Sequence, residues 1–95
     1  MVEKPSVLIV DDEVRFCQHL GKEFTRRGWA SASAHDGAAA LALIKEFQPC
    51  AITLDILLTD IDGWRVLGRL KRDVATRHIP VYIISTEEAR ERALR

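Results

Sequence analysis

Three places in the sequence put oxygen-bearing side chains directly behind apolar runs. Val7-Leu8-Ile9-Val10 ends in Asp11-Asp12, Ala51 to Leu54 ends in Asp55, and Val81-Tyr82-Ile83-Ile84 ends in Ser85-Thr86. An acid at the end of a buried strand is costly unless it is paired or used, so three such ends suggest one shared pocket. Three converging carboxylates repel one another, and unrelieved repulsion raises at least one pKa. A hard divalent cation relieves it. An oxygen-only donor set suits Mg²⁺, which keeps several waters and bridges readily to phosphate. No histidine or cysteine is placed to select zinc. A carboxylate can also attack phosphorus to give an aspartyl phosphate. Such transfer depends mostly on position and charge neutralisation, and Ser85 is a suitable hydroxyl donor to phosphoryl oxygens.

Elements must bring these groups to one edge. Val7–Val10 is a continuous β-branched and apolar run, which predicts a strand buried on both faces, as in a parallel sheet. Glu13 to Arg27 carries Phe16, Leu20 and Phe24 every four residues with Cys17 beside them, and Gly28 ends this helix. Trp29 to Ala34 predicts a weak strand near an edge. Asp36-Gly37 opens a second helix, with Ala40, Leu43, Ile44 and Phe47 on one face and Pro49 as its stop. Cys50 to Leu54 is a third strand. Asp62 caps a helix running to about Asp73, burying Val66, Leu67 and Leu70 and turning Arg65, Arg69, Lys71 and Arg72 outward. Thr76 to Pro80 is a connection, Val81 to Ile84 a fourth strand, and Glu87 to Arg95 a charged helical segment. The order β-α-β-α-β-α-β-α implies an α/β, doubly wound parallel sheet with helices on both faces. Ligands of such folds bind outside the carboxyl ends of the strands, where Asp11, Asp12, Asp55, Ser85 and Thr86 fall.

The remaining acids have plainer readings. Asp36 and Asp62 read as helix caps, Glu13 as a first-turn acid favoured by the helix dipole, and Asp60 as a solvated loop acid. His19, His35 and His78 are scattered and read as surface or boundary residues, and Trp64 and Tyr82 as packing residues. Composition agrees with one domain: 95 residues, 47% hydrophobic, with 14 basic and 14 acidic side chains that cancel. That balance gives no sign of nucleic acid or of an anionic membrane as partner, and no apolar run is long enough to span a bilayer. Cys17 and Cys50 lack metal-ligand spacing and read as buried or half-buried small apolar residues in a reducing, cytoplasmic compartment.

Taken together, Val7-Leu8-Ile9-Val10-Asp11-Asp12-Glu13, Leu54-Asp55 with Asp62-Gly63, and Ile79-Pro80-Val81 running to Ser85 resemble the receiver domain of two-component response regulators and hybrid histidine kinases. The match runs in order and spacing along essentially the whole chain. The resemblance implies a flavodoxin-like sheet in the order 2-1-3-4 and places the phosphoacceptor at Asp55. It implies Mg²⁺ held by Asp11, Asp12, Asp55 and the backbone carbonyl of Leu57, and a switch hydroxyl at Ser85 followed by Thr86. The implied partner is a histidine kinase or histidine phosphotransfer protein, and the only chemistry is self-catalysed phosphotransfer and dephosphorylation rather than turnover of a separate substrate.

The sequence departs from that family at four points. Thr59 stands where proline is usual, which leaves the loop freer. Thr86 stands where alanine or glycine is usual and narrows the approach to Asp55. Leu57 is apolar where an attacking water would pass. A fifth strand with its lysine and aromatic switch residue, and a fifth helix, have no counterpart. The chain therefore reads as a receiver domain truncated at its C-terminal end. Its Val81–Ile84 strand is expected as an open edge beside uncovered apolar surface, with self-association through that edge. Two rivals follow: a degenerate receiver acting only as an interaction or dimerisation module, and a phosphatase of similar topology. The latter needs a second aspartate two residues after its nucleophile, where this chain has Leu57. If Leu57 and Thr86 restrict access, Leu57→Asn and Thr86→Ala should each shorten the lifetime of a phosphoryl group on Asp55. Equal decay in the wild type and both variants would remove the idea.

Overall fold

The computed structural model describes residues 4–58 and 60–84. Thr59, Ser85, Thr86 and the helix expected over Glu87–Arg95 lie outside the described residues. Within them the chain runs β1 (Ser6–Val10), α1 (Val14–Arg26), β2 (Ala30–Ala34), α2 (Gly37–Phe47), β3 (Ala51–Leu54), α3 (Gly63–Arg72) and β4 (Val81–Ile83). All strand pairs are parallel and the sheet order is β2-β1-β3-β4: the parallel, doubly wound sheet that the alternating pattern implies, in the flavodoxin-like order that the resemblance implies.

Each strand of the centre is apolar on both sides because helices cover both faces. Leu8, Val10, Ile52 and Leu54 face one way and pack with Ala40 and Ile44 of α2 and Val66 and Leu70 of α3. The alternate residue Ile9 faces α1, where its side chain and that of Ser31 lie against Gly21. Val7 through Val10 are buried without exception, as is all of β3. Register fixes the functional edge: Val10 lies opposite Leu54 and Leu54 opposite Ile83, so the residues that follow β1 and β3 emerge side by side.

The helix ends are set by local chemistry. Asp36 caps α2 by accepting from Ala39 N–H at 2.7 Å, and Asp62 caps α3 by accepting from Trp64 N–H at 2.7 Å. The cap of α1 is Glu13, whose side chain accepts from Arg15 N–H at 3.1 Å. Glu13 was expected one position later, inside the first turn. It sits at the cap because its own N–H is taken by Asp11 Oδ1 at 2.9 Å, which holds Glu13 extended before the helix begins. Past the end of α1, Trp29 N–H and Gly28 N–H donate back to the carbonyls of Phe24 and Thr25.

Three expectations about side chains change. Cys17 is buried but Cys50 is exposed, because β3 begins one residue later, at Ala51. Trp64 is 56% and Tyr82 60% exposed. Trp64 lies on the outer side of α3, away from the buried Val66 and Leu70. Tyr82 pairs with Thr53 on the face away from the core cluster, in a strand that is an edge among the described residues. The α1 face of the sheet stays buried from Val7 and Ile9 through Thr53, so exposure is concentrated on β4 rather than spread over that face. His19, His35 and His78 are exposed.

Ile52 has no solvent exposure and lies in the core cluster. Ile52→Ala should cost about 2–5 kcal/mol, read as a lower urea midpoint with an unchanged slope, whereas Val74→Ala, at a highly exposed position, should change it by less than ~0.5 kcal/mol.

Candidate functional site

The site is the carboxyl edge of β1 and β3. Asp11 follows β1 directly and its N–H donates to Ala34 O at 3.0 Å; Asp55 follows β3 and its N–H donates to Val10 O at 2.9 Å. These bonds extend the sheet by one residue on each strand and carry both side chains to the same rim. One oxygen each of Asp11, Asp12 and Asp55 can be chosen so that all lie within 4.8 Å of one another. Asp55 is 1% and Asp11 5% exposed, while Asp12 faces solvent.

Of the two buried carboxylates, Asp55 is only partly satisfied. Asp55 Oδ1 accepts from Leu57 N–H at 3.1 Å. Its Oδ2 is buried and accepts no hydrogen bond among the described residues. Asp11 Oδ1 accepts from Glu13 N–H, and the Asp11 carbonyl accepts from the buried Cys17 thiol at 3.3 Å. Burial pushes the Asp11 carboxyl from 3.8 up to about 6, against the Glu13 N–H, with Asp55 and Asp12 adding like-charge repulsion. Burial likewise raises Asp55, opposed by the Leu57 N–H and reinforced by the Asp12 charge. Burial also pushes the Cys17 thiol up to about 11, so it serves as a neutral donor that steadies the Asp11 backbone.

The loop after Asp55 is held close. Gly63 N–H donates to Ile56 O at 3.0 Å, and a Cβ at Gly63 would stand 2.5 Å from the Asp55 carbonyl oxygen and from Ile56 Cα. Only glycine permits that approach. Asp60 is exposed, as expected of a loop acid, and it also accepts from Gly37 N–H at 2.7 Å and Ala38 N–H at 3.0 Å. Those two donors hold its carboxyl below the usual range. No periodicity signals this contact, because it joins residues 23 positions apart. The role of Cys17 is equally hidden in sequence, where a cysteine on a helix reads as a small apolar side chain.

Asp11, Asp12 and Asp55 are thus brought together, with Leu57 beside Asp55, while Ser85 and Thr86 lie outside the described residues. The donor set fits a hard cation: three carboxylates, oxygen only, one buried oxygen without a hydrogen bond.

Comparisons with known proteins bear on the family and the fold. The family model of the response regulator receiver domain matches residues 7–95. Response regulator PleD of Caulobacter vibrioides is 36% identical over 84 residues, which is 88% of this chain and 18% of that protein. The DNA-binding dual master transcriptional regulator RpaA of Synechocystis sp. is 35% identical over 81 residues, 85% of this chain and 34% of that protein. A solved structure of a sensor protein from Polaromonas sp. JS666 has a TM-score of 0.86 at 30% identity, covering 97% of this chain and 73% of that one. The chain spans about a third or less of the length of these two curated relatives.

Because both buried carboxyls titrate above their ordinary value, the metal-free folded chain binds more protons than the unfolded one as pH rises past 3.8, for Asp11 up to about 6. Their contribution is therefore most favourable at acid pH and is lost as pH rises, in the case of Asp11 through about 6. Asp55→Asn should stabilise the metal-free chain at neutral pH by about 1–3 kcal/mol and make the pH dependence shallower; urea unfolding followed from acid to neutral pH measures both.

Proposed function

This chain belongs to the response regulator receiver domain family of two-component signalling, and we propose that Asp55 is its phosphoacceptor. The observation that carries the proposal is the buried Asp55 Oδ2 without a hydrogen bond, at a strand end where two further carboxylates converge. The donor is a phosphohistidine of a histidine kinase or histidine phosphotransfer protein. An Asp55 carboxylate oxygen forms a bond to phosphorus as the P–N bond breaks, and the electron pair of that bond stays on the imidazole nitrogen.

The residues divide the task. Leu57 N–H on Oδ1 fixes the rotation of the Asp55 carboxylate and leaves the other oxygen to react. Asp11, Asp12, Asp55 and the Leu57 carbonyl would hold Mg²⁺, which when bound neutralises the carboxylates and the phosphoryl oxygens. Asp11 is set for this by the Cys17 thiol and the Glu13 N–H. Ser85, with Thr86 after it, would take the phosphoryl oxygen and shift the domain between two conformations. The chemistry is self-catalysed phosphotransfer and dephosphorylation, in a cytoplasmic protein. No helix among the described residues is long and apolar enough to cross a membrane.

A second reading, a receiver acting only through protein contacts, is favoured by the exposure of Tyr82 and Ile83 on β4. One experiment separates the two. Incubation with Mg²⁺ and a small acyl phosphate should place one phosphoryl group on each chain, seen by intact mass. Chelation or Asp55→Asn should abolish it, and Asp11→Asn should slow it at least about tenfold. Absence of labelling in the wild type would leave the interaction module.

A further inference from the structure

Between Asp55 and Gly63 the chain makes a loop that must hold its shape if the reacting carboxylate is to hold its direction. The loop is pinned at both ends, by Leu57 N–H on Asp55 Oδ1 and by Gly63 N–H on Ile56 O. In its middle, the only hydrogen bonds among the described residues that reach an element outside the loop and α3 are those of Asp60. Its two carboxylate oxygens take the N–H groups of Gly37 and Ala38, one each, at 2.7 and 3.0 Å. Those are two of the donors a helix leaves unsatisfied in its first turn. Asp36, the residue next to them, is occupied with Ala39 N–H, so α2 has two carboxylates at its start, one local and one from the loop.

The packing around Gly37 gives a second, independent sign. A Cβ there would stand 2.9 Å from Ile61 Cβ, 3.3 Å from Asp60 Oδ1 and 3.3 Å from Val66 Cγ2. Ile61 itself packs against the core cluster. The loop therefore comes down onto α2 at a point where any side chain would push it away. Helix propensity alone would favour alanine at this position; glycine is tolerated because the loop needs the space.

We propose that Asp60 is a positioning residue for the reaction at Asp55, tying the acceptor loop to the start of α2 so that Leu57 N–H stays on the acceptor carboxylate. The inference rests on Asp55 being the reacting group, and extends it to a residue that touches neither the carboxylates nor the phosphoryl group.

The test measures amide hydrogen exchange and acyl-phosphate labelling on the same proteins. The Ile52 amide, bonded to Pro80 O in the sheet, is the reference for global opening. In Asp60→Ala the amides of Gly37, Ala38 and Leu57 should all exchange faster relative to Ile52, by about threefold or more, the size expected for loss of a capping carboxylate. Labelling should slow by a similar factor. Asp60→Asn, which keeps one acceptor oxygen and decides the matter should the alanine variant not fold, should fall between. Gly37→Ala should speed the Leu57 amide despite being the better helix former. If Gly37 and Ala38 respond while Leu57 and the labelling rate stay at wild-type values, Asp60 is a helix cap alone and the inference falls. If the three amides respond together but the wild type takes no phosphoryl group, the tether to the acceptor loop stands, its role in phosphotransfer falls, and so does the reading of Asp55.

Discussion

A carboxylate held at the buried end of a central strand is the constraint on which the rest of the structure depends. Asp55 is almost fully enclosed, has one oxygen bonded to Leu57 N–H, and keeps the other buried without a hydrogen bond. Asp11 lies nearby, also buried, and its carboxyl is raised well above the usual carboxylate range by that burial. Such an arrangement destabilises the isolated fold, and a cation or phosphoryl group would draw on that. The protein concentrates unfavourable charge at one rim and supports it by a sheet that is otherwise apolar on both faces.

The support is local and redundant. Parallel pairing brings the ends of β1 and β3 into line. The Cys17 thiol and the Glu13 N–H hold the backbone and side chain of Asp11. Gly63 lets α3 begin against the Asp55 carbonyl. Asp60 links the loop to α2. Every one of these contacts leaves the Asp55 Oδ2 untouched, so the geometry is stiff around a group that stays available.

Much of the fold was legible in residue order. Val7–Val10 reads as a doubly covered strand because no polar residue interrupts it, Cys50 to Leu54 reads as a strand ending in an acid, and the helical faces of Ala40-Ile44 and Val66-Leu70 read from their spacing. The caps Asp36 and Asp62 were equally plain, since each precedes an amphipathic run. Glu13 was displaced by one position because Asp11 competes for its N–H, a contest between neighbouring acids that spacing does not resolve. Cys50 was assigned to a strand that begins one residue later. Trp64 and Tyr82 read from sequence as packing residues, yet each is more than half exposed on the outer side of its element.

What the sequence by itself determined is the set of acids and their places at the ends of apolar strands, because burial of a strand is written in consecutive side chains and a carboxylate that ends one stands out against them. Only the tertiary structure decided how the acids are shared out. Asp11 and Asp55 meet with Asp12, whereas Asp60, one of three aspartates within eight residues, turns away to the first turn of α2. That choice depends on contacts between segments distant along the chain, and on the close approach that Gly37 and Gly63 allow, neither of which leaves a periodic trace in the order of residues.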